Sequence, residues 1–165
     1  MFKLFIANCL LILTLLPVTS IAESGGNIEL HPLSSGTYTI AIKFASAVEA
    51  EFLLDTGASM VMMNEKLFKV ITKHQKTIST GKVAANMASG RVKSIPTYEI
   101  PSLILDNGCD VGPLEVAVIR GASRNLIGLN ALVKLGRITL DLQDPKLIAA
   151  NCPTKRLTSQ EIASL

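Results

Sequence analysis

The stretch Phe52-Leu53-Leu54-Asp55-Thr56-Gly57-Ala58-Ser59 constrains this chain more than any other. An apolar run ends abruptly in a carboxylate, a hydroxyl and a glycine. Apolar runs of this kind read as buried strands, and Gly57 permits a tight turn that a residue with a Cβ would resist. A carboxylate at the end of a buried strand costs free energy unless it is paired, hydrogen-bonded or protonated. Asp55 is therefore the first candidate for chemistry, and the sequence holds a single Asp-Thr-Gly triplet. Out of context the triplet reads as an ordinary turn, since Asp and Gly both favour turns, so its surroundings must decide.

Those surroundings read as short strands. Asn27 to Leu33 begins the fold. Tyr38, Ile40, Ile42 and Phe44 alternate with Thr37, Thr39, Ala41 and Lys43, the pattern of a half-buried strand. Val48, Ala50, Phe52 and Leu54 alternate with Glu49 and Glu51. Together they predict a hairpin that delivers Asp55 at its end. Asn64 is placed to cap a helix carrying Leu67, Phe68 and Ile71 on one face. Lys73 to Gly81 reads as polar linker. Lys82 to Lys93 reads as a hairpin with a small, turn-rich tip, Asn86-Met87-Ala88-Ser89-Gly90. Ile95 to Leu105 is extended, and Pro96 and Pro101 favour an edge position there. Asp106-Asn107-Gly108 is a turn, and Leu114, Val116 and Val118 mark another strand. Asn125-Leu126-Ile127-Gly128-Leu129-Asn130 follows, with Asn130 placed to cap a short helix, Ala131 to Leu135, that Gly136 stops. Ile138 to Leu142 and Leu147 to Ala150 supply the last strands. About seven or eight short strands and a helix or two imply an all-β barrel or sandwich.

Composition narrows the function. A chain of 165 residues, 48% hydrophobic, holds one domain with an ample core. Its net charge of +3 comes from scattered Lys and Arg, not from the clustered basic face that nucleic acid requires. Part of the hydrophobicity is local: Lys3 precedes an apolar run from Leu4 to Leu16, Pro17 breaks it, and Ser20-Ile21-Ala22 puts small residues before Glu23. That is the pattern of a secretory signal peptide over residues 1–22. The run is too short for a comfortable membrane span of roughly 20 residues. Secretion across an inner membrane into the periplasm follows, with an uncleaved N-terminal anchor as the alternative.

Cleavage would leave Cys109 and Cys152. In an oxidising compartment such a pair suggests one disulfide; two unrelated thiols are the other reading. Neither Cys has a His near it in sequence, which disfavours a thiol nucleophile. His31 and His74 are the only histidines and lack partners at ligand spacing, so no metal is expected. No G-x-S-x-G elbow and no Walker-type loop occur.

Leu54 to Ser59, the candidate flap Ala84 to Val92, and the late Asn125-Leu126-Ile127-Gly128 segment followed by a short helix and the strand Ile138 to Leu142 come in a telling order. In that order they resemble the single-domain, retropepsin-like aspartic proteases of clan AA, particularly their secreted or membrane-attached bacterial members. The resemblance spans roughly Ile28 to Ala150. It implies a closed β-barrel with a flap hairpin over residues 23–150, followed by a tail, 151–165. It also implies an aspartic endopeptidase that needs no cofactor. By position, Asp55 is the catalytic acid and base, and a homodimer supplies the second Asp55. Thr56 hydrogen-bonds across the dimer axis, and Gly57 donates to the carboxylate. Ala58, Ile127 and Gly128 support the active-site loop, and Asn86, Met87, Ala88, Ser89 and Gly90 close over an extended peptide substrate. Retroviral members carry an Arg where this chain has Leu129, so their ion-pair network at the interface is absent or replaced. The rival readings are a non-catalytic dimeric peptide-binding module on the same fold, and an enzyme that processes its own leader or tail.

Overall fold

In the computed structural model, which describes residues 25–44, 48–86 and 90–152, two short strands open the chain, β1 (Gly26–Glu29) and β2 (His31–Pro32). The segment read as a signal peptide, and nearly all of the tail, lie outside the described residues. β3 (Tyr38–Phe44) and β4 (Val48–Leu54) then pair antiparallel, Ile40 opposite Phe52, as their alternation predicts. Ile40, Ile42, Phe44 and Phe52 are fully buried, and the two Phe rings meet at 5.7 Å between centroids. Each such side chain contributes roughly 1.5–3 kcal/mol on leaving water. β3 is more enclosed than a half-buried strand, because Thr39 and Ala41 on its other face are buried as well.

β5 (Val61–Asn64) runs directly into α1 (Glu65–Ile71). Asn64 caps that helix as expected, its side-chain oxygen accepting from the Leu67 N–H at 2.8 Å. The long hairpin is formed by β6 (Ile78–Asn86) and β7 (Val92–Ile100), paired from Ile78–Glu99 to Asn86–Val92. Two expectations are corrected here. The polar linker ends earlier than Gly81, because β6 already begins at Ile78. And β7 is no edge strand: it lies between β6 and β9 (Leu114–Ile119), leaving β6 at the margin. Pro96 is accommodated because pairing with β9 begins only at Thr97. A proline there forfeits no ladder bond on that side.

The remaining elements are β8 (Ile104–Leu105), β10 (Asn125–Ile127), α2 (Leu129–Leu132) with a 3-10 turn over Val133–Leu135, β11 (Ile138–Asp141) and β12 (Lys146–Ala149). Gly136 ends the turn at φ +69°, where a glycine is favoured. The fold is all-β with short helices. One sheet runs β2-β3-β4-β10-β5-β9-β7-β6, with β8 on β3; a smaller one runs β1-β12-β11. A single cluster of buried side chains, from Ile28 to Ala149, draws on both sheets. Cys109 and Cys152 are joined in a disulfide, as the first of the two cysteine readings expects.

Candidate active site

Two strands enclose a third at the end of the predicted loop. β4 leads into Asp55 and β5 leads out of Met60. β10 inserts between them, parallel to β4 with Ile127 beside Leu54, and antiparallel to β5 with Leu126 opposite Met62. The backbone carbonyl of Ile127 accepts from the Asp55 N–H at 3.1 Å. The chain then turns tightly, the Ala58 N–H donating to the Asp55 carbonyl at 3.2 Å. Gly57 N–H donates to the Asp55 carboxylate, Oδ1, at 2.9 Å. A carboxylate that accepts from the backbone two residues on is fixed in direction without a second side chain.

The far side of the loop is tied to the start of α2. Leu129 N–H donates to the Ala58 carbonyl at 2.9 Å, and Asn130 N–H to the Ser59 carbonyl at 3.1 Å. Gly128 lies so close beneath that a Cβ on it would stand 2.4 Å from the Met60 carbonyl oxygen. Ile127 is fully buried and Ala58 nearly so, whereas Asp55 is half-buried and Thr56 and Gly57 are exposed. Asp55, Thr56, Gly57, Ala58, Ile127 and Gly128 are thus brought together. Of the hairpin tip, Asn86 and Gly90 are exposed, Gly90 with φ +76°; Met87, Ala88 and Ser89 lie outside the described residues.

Asn130 does not cap the helix. α2 starts two residues earlier than expected, at Leu129, with Gly128 in the capping position. The Asn130 side chain instead accepts from Val61 N–H at 2.8 Å and donates to the Glu115 carbonyl at 2.8 Å, joining α2 to β5 and β9. Asn125 plays a matching part at the other end of the motif. Its Oδ1 accepts from the backbone and side-chain amides of Asn64, both at 3.0 Å, and its Nδ2 donates to the Glu51 carbonyl at 3.2 Å. It is buried, and all of its hydrogen-bonding serves to hold β4, β10 and β5 in register. These two amides are the residues that sequence reasoning underused. The available signal was an Asn at each end of an apolar segment, where a buried polar group needs partners.

At the base of the hairpin, Thr80 Oγ1 donates to Glu115 Oε1 at 2.6 Å and lies 2.8 Å from Thr97 Oγ1. The Thr80 hydroxyl first, and that of Thr97 second, hold the Glu115 carboxyl below its ordinary range. Three strands, β6, β7 and β9, are cross-linked at this point. Among the described residues no cluster of His, Cys, Asp and Glu could hold a metal ion.

Two cavities stand out, and neither is lined by a residue of the loop from Asp55 to Met60. Leu129, whose N–H is bonded to the Ala58 carbonyl, is 48% exposed, and Val133, one turn further on, 71%.

The model of a family described as "gag-polyprotein putative aspartyl protease" matches residues 40–134. No curated protein matches in sequence. Among solved structures, the chain is similar to a retropepsin-like aspartic protease from Rickettsia conorii, with 17% sequence identity and a TM-score of 0.53. That likeness covers 76% of this chain and 91% of the other.

Proposed function

We propose, on the premise that the chain belongs to the gag-polyprotein putative aspartyl protease family, that it is an aspartic endopeptidase whose active form is a homodimer. The observation that carries this reading is Asp55 itself. It stands in the sequence's single Asp-Thr-Gly triplet, half-buried, oriented by Gly57 N–H and anchored through Ile127. One carboxylate cannot both activate a water and polarise a carbonyl. Two facing carboxylates can, because they cannot both ionise cheaply and so share a proton.

In the paired site the ionised Asp55 takes a proton from a water as the water oxygen attacks the scissile carbonyl carbon. The protonated Asp55 of the second copy donates to the carbonyl oxygen. A tetrahedral diol forms without a covalent bond to the enzyme. It collapses when the amide nitrogen receives a proton, breaking the C–N bond and releasing acid and amine. Thr56, exposed beside the carboxylate, hydrogen-bonds across the two-fold axis. The tip Asn86 to Gly90 closes on an extended peptide through main-chain hydrogen bonds. The apolar face of Leu129 and Val133 replaces the Arg network of the retroviral interface. The disulfide between Cys109 and Cys152 supports an oxidising, extracytoplasmic compartment, as secretion into the periplasm requires.

The test is cleavage of a peptide library by the purified protein. Asp55→Asn, nearly isosteric, should lower the rate on the order of a thousandfold or more, as expected for loss of a catalytic acid–base group, with an unchanged far-UV spectrum. Undiminished cleavage by that variant would remove Asp55 from the mechanism.

A further inference from the structure

The cavity between α1 and the strands β7 and β9 belongs to no part of the site described above. We infer that it binds a small organic anion with a flat apolar body, such as an aromatic carboxylate. Its volume is about 470 Å³, within the range of small-molecule sites. Phe68 and Tyr98 line it, their rings 4.4 Å apart between centroids and tilted by 38°, together with Pro96 and Val118. Aromatic and aliphatic surface of this kind holds a ring, not an inorganic ion.

The rim is charged, and unevenly. Lys69, Lys93 and Arg120 line the cavity with one carboxylate, that of Glu65. Glu65 already divides itself between two of the cations, Oε1 at 3.2 Å from Lys69 Nζ and Oε2 at 3.6 Å from Arg120 Nε. The rim therefore carries an excess of positive charge. The Lys69 and Arg120 side chains are 70% and 89% exposed, so neither is committed by packing, and Arg presents a planar fork that matches a carboxylate. A neutral apolar ligand would satisfy the apolar lining alone, and phosphate or sulfate the rim alone. An amphipathic anion satisfies both.

The site stands on its own cavity, whether or not the chain is a protease. The experiment uses the isotope-labelled full protein carrying Asp55→Asn, so catalysis does not enter the readout. It is titrated with naphthoate and with the neutral naphthalenemethanol, amide shifts being followed by NMR. Naphthoate should move the amides of residues 65–72, 93–95, 97–98 and 118–120 with submillimolar affinity. Arg120→Glu, at an exposed position where the ion pair contributes little to stability, should weaken naphthoate on the order of tenfold by reversing a charge at the rim. It should leave the alcohol unaffected. Shifts centred elsewhere, including on Leu129 and Val133, would overturn the assignment. So would the absence of shifts at millimolar naphthoate, or equal loss of both ligands in the variant.

Discussion

A backbone contact where no side chain fits fixes the position of Asp55. A Cβ on Gly128 would lie 2.4 Å from the Met60 carbonyl oxygen and 2.8 Å from that of Ala58. Both are main-chain atoms, so no rotamer change relieves the clash. Gly128 has φ −106°, which any residue adopts; the constraint is space alone. Gly128→Ala should therefore destabilise the chain by about 2–4 kcal/mol, at the upper end of overpacking, and push the Asp55 loop off the start of α2. Urea unfolding measures the first effect and peptide cleavage the second. A loss below about 0.5 kcal/mol, the scale of a neutral surface change, would show that α2 yields freely. Asp55 and Gly57 were legible in the sequence because their bond spans two residues and its logic is local. Asn125 and Asn130 were not, because they serve partners far along the chain: Asn130 meets Val61 across 69 residues, and Asn125 meets Glu51 across 74. Locally, an Asn before a short helix is best used as a cap. The distant amide of Val61 takes the side chain instead.

Elements were legible where one face is buried and the other is wet. β4 alternates and was read with its end in the right place; so was α1, whose cap and apolar face are both local. β6 was cut short because Ile78 to Lys82 is exposed on both faces, so the segment has no periodicity to read. An edge position for β7 is what Pro96 within it and Pro101 just beyond it suggest, since prolines are visible in sequence whereas the reach of β9 is not. The hairpin is joined to the body by the ladder of β7 on β9, from Thr97–Ala117 to Ile100–Leu114, and β6 is tied in by the Thr80 hydroxyl, which bonds Glu115 and lies against Thr97. The Glu115 carboxyl titrates below its ordinary range in the folded chain, chiefly because Thr80 donates to it. A depressed folded value adds stability above the unfolded value of about 4.3, and that stability is lost as pH falls through the folded value. Thr80→Val should thus reduce stability at neutral pH, and the gap to wild type should narrow as pH drops from about 5 towards 3. Paired denaturant titrations across that window check it. A gap independent of pH would mean that the hydroxyl acts by packing rather than through the carboxylate. Amide exchange in β6 and β7 should quicken in the same variant, since this cross-link ties the hairpin to β9.

Across the whole molecule, the two ends of the described chain are folded on each other. β1 pairs with β12, and β12 with β11. The disulfide from Cys109 to Cys152 closes the sheet against the turn at Asp106 to Asp110, and in the chain-entropy model contributes about 4 kcal/mol. Gly26–Glu29 thus finds its strand partner within the chain. In the homodimer proposed above, the exposed Leu129 and Val133 would lie at the seam, next to the Asp55 loop. Leu129 is hydrogen-bonded through its backbone to Ala58 and follows Gly128, so whatever covers it also lies over the Asp55 loop. Val133→Asp tests this arrangement. At 71% exposure the substitution should alter the stability of a single chain by no more than about 0.5 kcal/mol. In a dimer it would set two carboxylates near each other in an apolar seam, a burial that costs heavily without a partner. Sedimentation should show the wild type as dimer and the variant as monomer at the same concentration. Cleavage by the variant should vanish there and return in part as concentration rises, since mass action repopulates the pair. A variant that sediments as an undisturbed dimer would move the interface off α2. A variant that cleaves at full rate as a monomer would mean that a lone Asp55 suffices, and the paired-carboxylate reading would fall.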